Sequence, residues 1–167
     1  MTAPVLIFAI GNESRGDDAL GPMLLREIDN WLNSGEGPRE KGEGFELLED
    51  FQLQIEHAMD MKGRQRVLFI DAGMDTPAPF SFYRAKTTGE PVLYSHALPP
   101  EALLNVYAQV YGESPPDAYI LCIKGESFEL GEPASPAALH HQALALDFIK
   151  QLLDTSSWDD LIETKPR

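Results

Sequence analysis

Three side chains that could act together on a metal ion or a substrate group are Asp18, Asp71 and His96. Asp18 follows the first apolar run across a glycine-containing loop, Asp71 ends a later apolar run, and His96 lies in a loop before an amphipathic stretch. In open α/β sheets, ligands bind beyond the carboxyl ends of the strands. Only the fold could bring these residues together, because long stretches of chain separate them.

Two carboxylates and an imidazole form a mixed oxygen and nitrogen ligand set, which suits borderline divalent metals such as nickel, zinc or manganese. Three protein ligands leave coordination positions open for water or a substrate group. Without a metal, two adjacent carboxylates repel each other, and one is expected to take up a proton at mildly acidic pH. A rival chemistry uses one carboxylate as a general base, with no metal in bond cleavage.

Each candidate also has a purely structural interpretation. An Asp at a strand end often forms a turn, so Asp71 alone is undecided, and a lone loop histidine such as His96 is commonly a surface residue. Asp17 is expected to cap the start of the helix that follows. Successive helical residues point about 100° apart, so Asp18 would then project elsewhere.

The sequence lacks the motifs of several common catalytic, nucleotide-binding and metal sites. There is no G-x-S-x-G nucleophile elbow, and the loop over residues 11–18 contains neither a dinucleotide fingerprint nor a phosphate loop. The single cysteine, Cys122, excludes paired-cysteine zinc sites and internal disulfides, and we expect a buried core thiol. The other histidines have no H-E-x-x-H spacing and are expected on solvated helix faces: His57, His140 and His141.

The hydrophobic pattern predicts a three-layer α/β/α sandwich around a mostly parallel, twisted sheet of about five strands. Continuous apolar runs indicate strands covered on both faces, and 3.6-residue periodicity indicates helices between them. Predicted strands cover residues 5–10, 45–48, 66–70, 80–85 and 118–124. Predicted helices follow Asp18 and cover residues 99–111 and 137–153, with a possible helix at 53–61.

Length and charge narrow the function classes. The 167 residues suit one domain, 1–167, with a loose polar tail after about residue 156. A net charge of −14 disfavours nucleic acid and anionic membranes as partners. No apolar run reaches the roughly 20 residues that span a bilayer, and the first strand begins too early for a signal peptide. We therefore expect a soluble cytoplasmic protein.

Four motifs in this order resemble those of the nickel-iron hydrogenase maturation endopeptidases, and the resemblance covers most of the chain. They are Gly11-Asn12-x-x-x-x-Asp17-Asp18-x-x-Gly21-Pro22, Ile70-Asp71-Ala72, Ser95-His96 and Gly125-Glu126-Ser127-Phe128-Glu129. This family removes a short C-terminal extension from the hydrogenase large-subunit precursor after nickel insertion. The resemblance implies an aspartate- and histidine-based endopeptidase whose partner is that precursor.

The resemblance also implies roles for individual residues. Asp18, Asp71 and His96 would be the catalytic and metal-contacting residues, while Gly11 and Asn12 would shape the turn. The nickel would be supplied by the substrate, no organic cofactor is implied, and we expect a monomer. Two other hypotheses remain: a metal-sensing assembly chaperone that does not cut, and a small-molecule hydrolase.

One stretch departs from the family pattern. Many members carry Asp-Gly-Gly after the second strand, whereas this chain has Glu-Asp-Phe-Gln-Leu-Gln at 49–54. Substrate choice is therefore expected to differ, and the stretch looks like that of members serving soluble, NAD-linked hydrogenases.

Overall fold

The computed structural model describes residues 2–38, 44–87 and 98–162, and these form a five-stranded sheet flanked by helices. The sheet order is β2-β1-β3-β5-β4, in which β4 is antiparallel to β5 and every other pairing is parallel. The strands are β1 (Val5–Ile10), β2 (Phe45–Asp50), β3 (Arg66–Gly73), β4 (Phe80–Arg84) and β5 (Asp117–Lys124). The mostly parallel sheet predicted from the apolar runs is confirmed.

Over the described ranges, three α-helices and three short 3-10 helices accompany the strands. The α-helices are α1 (Leu20–Asn33), α2 (Pro100–Tyr111) and α3 (Pro136–Leu153). The 3-10 helices are Gly16–Ala19, Ile55–Met61 and Trp158–Leu161. Among the residues that the structure describes, no helix is both long and apolar enough to cross a bilayer.

The continuous apolar strands are explained by cores on both faces of the sheet. In β1, Val5, Ile7 and Ala9 pack with α1 and α3, whereas the alternate residues Leu6, Phe8 and Ile10 pack with α2 and the 3-10 helix Ile55–Met61. Side chains alternate between faces along a strand, so a strand in the middle layer must be apolar at every position. The predicted three-layer sandwich is therefore confirmed.

Two strands are longer than their apolar runs indicated. β3 continues past Ile70, because Asp71, Ala72 and Gly73 pair in register with the last residues of β5. Asp71 consequently lies inside a strand, not directly after it. β2 likewise extends to Asp50, which pairs with Ile10. Polar residues continue these strands because the backbone ladder, not apolar burial, holds the strand ends.

The tail after residue 156 is not loose over the residues the structure describes. Trp158 is only 2% exposed, packs edge-on against the ring of Tyr119 at 5.2 Å, and lies under the Arg66 guanidinium. The Tyr119 hydroxyl donates to Asp159 at 2.9 Å. The predicted loose tail is thus wrong for residues 157–162, because one buried aromatic side chain outweighs the polar composition around it.

Candidate active site at the carboxyl edge of the sheet

The start of α1 lies directly against the carboxyl ends of two central strands. A Cβ atom on Gly21 would lie 2.7 Å from the carbonyl oxygen of Ile10 and 3.1 Å from that of Ile70. Only a residue without a side chain permits this approach. The glycine therefore brings the loop before α1, which carries Asp18, to the edge where β1 and β3 end.

Asp18 and Asp71 meet at this edge. The Asp18 carboxylate accepts the N–H of Asn12 at 2.8 Å, and burial raises its pKa against the lowering effects of that bond and of Arg15. Asp71 accepts the N–H of Ala72 at 2.8 Å. Burial, and to a smaller extent the negative charge of Asp18, raise the pKa of Asp71 to about 7 against the lowering effect of the bond from Ala72. The two carboxylates are therefore close enough to repel each other.

The third predicted residue, His96, lies outside the described residues, as does Ser95 beside it. Over residues 2–38, 44–87 and 98–162, no three His, Cys, Asp or Glu side chains come together as a metal site. The described part of the chain thus supplies two of the three predicted ligands. The roles of all three residues stay predictions.

Asp17 has a different role from the predicted helix cap. Its side chain does not cap the 3-10 helix in which it lies, and it is fully buried. Instead, the carboxylate accepts the backbone N–H groups of Glu126, Ser127 and Ser135 at 2.6–3.1 Å, together with the Ser135 hydroxyl at 2.8 Å. Burial alone would raise the pKa of Asp17, but these hydrogen bonds outweigh it and lower the pKa.

Asp17 therefore ties the first loop to the loop between β5 and α3, and we call this contact the Asp17 anchor. Ser135, the N-cap of α3, donates to Asp17 and accepts the N–H of Ala138. Two backbone bonds reinforce the anchor, from Asp17 N–H to Ser127 at 2.8 Å and from Gly16 N–H to Glu132 at 3.0 Å. These bonds thereby hold the loop that carries Asp18 against the loop between β5 and α3.

Sequence reasoning missed the polar wall beside Asp71. Cys122 is the register partner of Asp71, and Ser81 is the register partner of Cys122, so the three side chains lie on the same face of the sheet. Tyr83 also belongs to this wall: burial, and then the charges of Glu101, Cys122 and Asp71, raise its pKa to about 12. The alternation of polar and aromatic residues in β4 was the available signal.

Cys122 is half-buried and not the fully buried core thiol that its apolar neighbours predicted. Burial raises the pKa of its thiol, and the charge of Asp71 adds to this effect against a lowering hydrogen bond with Thr76. A thiol with a raised pKa carries little thiolate near neutral pH, so Cys122 is a poor nucleophile. The wall therefore shapes the site, and its cysteine offers no attacking thiolate.

His57 is also more enclosed than predicted. Its side chain is 13% exposed, packs against the Phe8 ring at 4.8 Å, and accepts the Gln54 N–H at Nδ1. Its Nε2 lies 3.2 Å from Asp50, the last residue of β2. Of the other two histidines, His140 is exposed as predicted, whereas His141 is half-buried with Nδ1 2.9 Å from the Lys124 carbonyl.

The Asp18 and Asp71 pair supports two kinds of chemistry. A carboxyl group with a pKa of about 7 can exchange a proton near neutral pH, which suits general acid–base catalysis. Two repelling carboxylates also favour a bound cation, because its charge removes the repulsion. Perturbed carboxylates at the carboxyl edge of a parallel sheet mark this region as the candidate active site.

Comparisons with known proteins agree on the fold. No protein-family model matches the chain, and no curated protein matches it in sequence. A crystal structure of the NiFe hydrogenase maturation protease HycI from Thermococcus kodakarensis KOD1 matches with TM-score 0.62 and 24% identity, over 92% of this chain and 94% of that one.

Two further solved structures match similarly. The hydrogenase maturating endopeptidase HybD from E. coli has TM-score 0.65 and 20% identity, over 90% of this chain and 91% of that one. The hydrogenase 2 maturation peptidase from Thaumarchaeota archaeon SCGC_AB-539-E09 has TM-score 0.61 and 19% identity, over 90% of this chain and 97% of that one. This chain therefore shares the α/β fold of solved hydrogenase maturation proteases.

Proposed function

We propose that this protein is an endopeptidase that removes the C-terminal extension of a nickel-loaded nickel-iron hydrogenase large-subunit precursor. The observation that carries the proposal is the convergence of Asp18 and Asp71 at the carboxyl edge of the sheet, on a fold shared with hydrogenase maturation proteases. The order and spacing of the sequence motifs support the same function. A small-molecule hydrolase is the weakest alternative, because no nucleophile motif accompanies the two carboxylates.

In the proposed mechanism, the nickel arrives as part of the substrate, and Asp18, Asp71 and His96 complete its coordination. Binding of a substrate-borne cation relieves the repulsion between the two carboxylates, so a precursor with nickel is bound more tightly than one without. That difference in affinity is what a checkpoint requires, since it rejects the empty precursor.

The same carboxylates suit the cleavage step. In the rival chemistry Asp71 does not bind the metal during cleavage, and its raised pKa of about 7 lets it accept a proton from an attacking water and later return it to the leaving amine. Asp18 is held by the Asn12 N–H and fixed from behind by the Asp17 anchor, so it stays in place as the substrate enters. Rigid support of this kind is what positions a catalytic pair.

The second candidate is a metal-sensing assembly chaperone that binds the same precursor without cutting it. The same pair of carboxylates would recognise the nickel, and only the proton transfer would be missing. The two functions make opposite predictions about the mass of the precursor.

The test is incubation of the purified full chain with nickel-loaded and nickel-free large-subunit precursors, beginning with a soluble NAD-linked hydrogenase. Mass spectrometry should find the shortened large subunit only in the nickel-loaded sample. A stable complex with an unshortened precursor would favour the chaperone. Equal cleavage with and without nickel would contradict recognition through the metal.

A further inference from the structure

β4 lies at one edge of the sheet, and its backbone bonds alternate in direction. The Pro79 carbonyl accepts the Lys124 N–H at 3.0 Å, and the Ala85 N–H donates to Ala118 at 2.9 Å. In an antiparallel pair, bonding groups face the partner strand at every second residue, so the odd-numbered residues of this segment face β5. The N–H and C=O groups of the even-numbered residues face away from the sheet: Phe80, Phe82 and Arg84.

A groove of about 750 Å³ runs along this open edge. On the α3 side the groove is lined by Gln151 and by Phe148, whose ring lies 5.1 Å from both Phe80 and Phe82. Leu161 and Ile162 line the same side. Asp160 is the charged residue that lines the groove within the described ranges. An occupant therefore needs apolar side chains on one face and benefits from a positive charge beside Asp160.

The groove lies two strands away from the candidate active site. β4 begins at the carboxyl edge of the sheet, where Phe80 pairs with Ile123, and Ser81 is separated from Asp71 only by Cys122. Two strand spacings of about 4.8 Å each place the edge roughly 10 Å from Asp71, a distance that about three extended residues span. A peptide held at Asp71 can therefore reach the open edge within a few residues.

We propose that the C-terminal extension of the substrate adds to β4 as a sixth strand. This inference rests on the proposed function and identifies how the peptide is held. Extended peptides commonly bind exposed sheet edges through main-chain hydrogen bonds, and alternate side chains then give specificity.

The lining residues define the chemistry of the extension. Its alternate side chains on the α3 side would be apolar and contact Phe148, while a lysine or arginine would lie beside Asp160. On the other side, Ser81 and Tyr83 present polar groups, so the intervening residues would be polar. An open edge can also pair with a second copy of the same chain, which the test must distinguish.

The test uses the full isotope-labelled chain and a synthetic peptide, acetyl-Val-Ser-Val-Ser-Lys-amide, with a twin that is N-methylated at every residue. Hydrogen exchange by NMR should slow at least tenfold at the amides of Phe80, Phe82 and Arg84 when the first peptide binds. The methylated twin should bind at least tenfold more weakly, because it cannot donate main-chain hydrogen bonds. Asp160→Lys should weaken binding about fivefold, and Asp147→Lys, an exposed change on α3 outside the groove, should not.

Three results would overturn the inference: equal binding of the methylated twin, exchange changes on peptide binding that leave β4 unaffected, or slowed exchange at β4 that depends on protein concentration and not on peptide. A cleavage assay on the nickel-loaded precursor separates this failure from that of the proposed function. If the precursor is cleaved but the peptide has no effect at β4, the proposed peptide binding at β4 is wrong and the proposed protease function stands. If the peptide binds at β4 but no precursor is cleaved, the proposed protease function is wrong and the binding at β4 stands.

Discussion

Asp17 and Asp18 are neighbours in the sequence, yet they belong to two regions that shift the pKa of a carboxyl group in opposite directions. Asp17 is fully buried and receives four hydrogen bonds, which lower its pKa. Asp18 receives one from Asn12, and burial raises its pKa. The charged form is stabilised by the fold at Asp17 and destabilised by it at Asp18.

This difference separates a structural carboxylate from one that is a candidate for function. The Asp17 anchor contributes to stability, because its charge is matched by donors from another loop. The Asp18 and Asp71 pair costs stability, because each carboxylate is partly removed from water and repels the other. Groups that a fold retains at such a cost are candidates for function.

The largest expected effect is on catalysis. Asp18→Asn and His96→Ala should preserve folding and lower the rate of precursor processing by about 1,000-fold or more, because both would remove a group that contacts the substrate. Processing is followed by mass spectrometry and folding by circular dichroism. Asp75→Asn, at an exposed carboxylate near the site, is the matched control and should remain active. Loss of folded protein in both test variants would instead support structural roles.

The next largest effect is expected at the anchor. Asp17→Ala should lower the free energy of unfolding by about 3 kcal/mol, because it leaves buried N–H groups of the loop between β5 and α3 without an acceptor. Urea denaturation of the metal-free protein measures this change. Asp18→Ala should cost less than about 1 kcal/mol in the same assay. Equal losses in the two variants would remove the distinction between anchor and site.

Asp71 should reverse the usual effect of pH on a stabilising carboxylate. Between about pH 4 and pH 7 the folded protein keeps a proton on Asp71 that the unfolded chain releases, so the free energy of unfolding falls as pH rises through this window. At pH 8, Asp71→Asn should therefore stabilise the metal-free protein by roughly 2 kcal/mol, and the gain should vanish near pH 4.

Urea denaturation at both pH values measures this dependence. Asp75→Asn serves again as the control for loss of one negative charge. A stabilisation that is the same at pH 4 and pH 8 would show that the charge of Asp71 is not the cause.

The smallest effect is expected at Ser135. Ser135→Ala should cost about 1 kcal/mol, because it removes the hydroxyl that donates to Asp17 and caps α3 through Ala138. In an Asp17→Ala background the same change should cost less, since part of its contribution is the bond to Asp17. A double-mutant cycle on thermal unfolding measures this coupling, and full additivity would mean that Ser135 acts only as a cap.

The sandwich and most of its elements were predictable, because a strand covered on both faces must be apolar throughout, as in β1. Strand ends were harder: Asp71 lies within β3 because the backbone ladder with β5 continues, and composition does not report backbone pairing. The helix predicted at 53–61 is a 3-10 helix that begins at Ile55, a difference that apolar spacing does not resolve.

At the candidate site, sequence reasoning identified Asp18 and Asp71 but assigned Asp17 to its own helix. Its true partners are the N–H groups of a loop more than 100 residues away, and no local pattern encodes such a contact. The loose-tail prediction failed for a related reason. Trp158 is buried by Tyr119 and Arg66, which are distant in sequence, so the polar residues around it were misleading.

The Asp17 anchor has a consequence for the order in which parts of the chain fold. Its hydrogen bonds join residues 109 to 118 positions apart, so the loop that presents Asp18 cannot be fixed until the chain has reached Ser135. A ribosome must therefore synthesise Ser135 before that loop has its support, and such distant contacts form late in folding. A nascent chain that has not reached Ser135 thus lacks the contacts that support the candidate site.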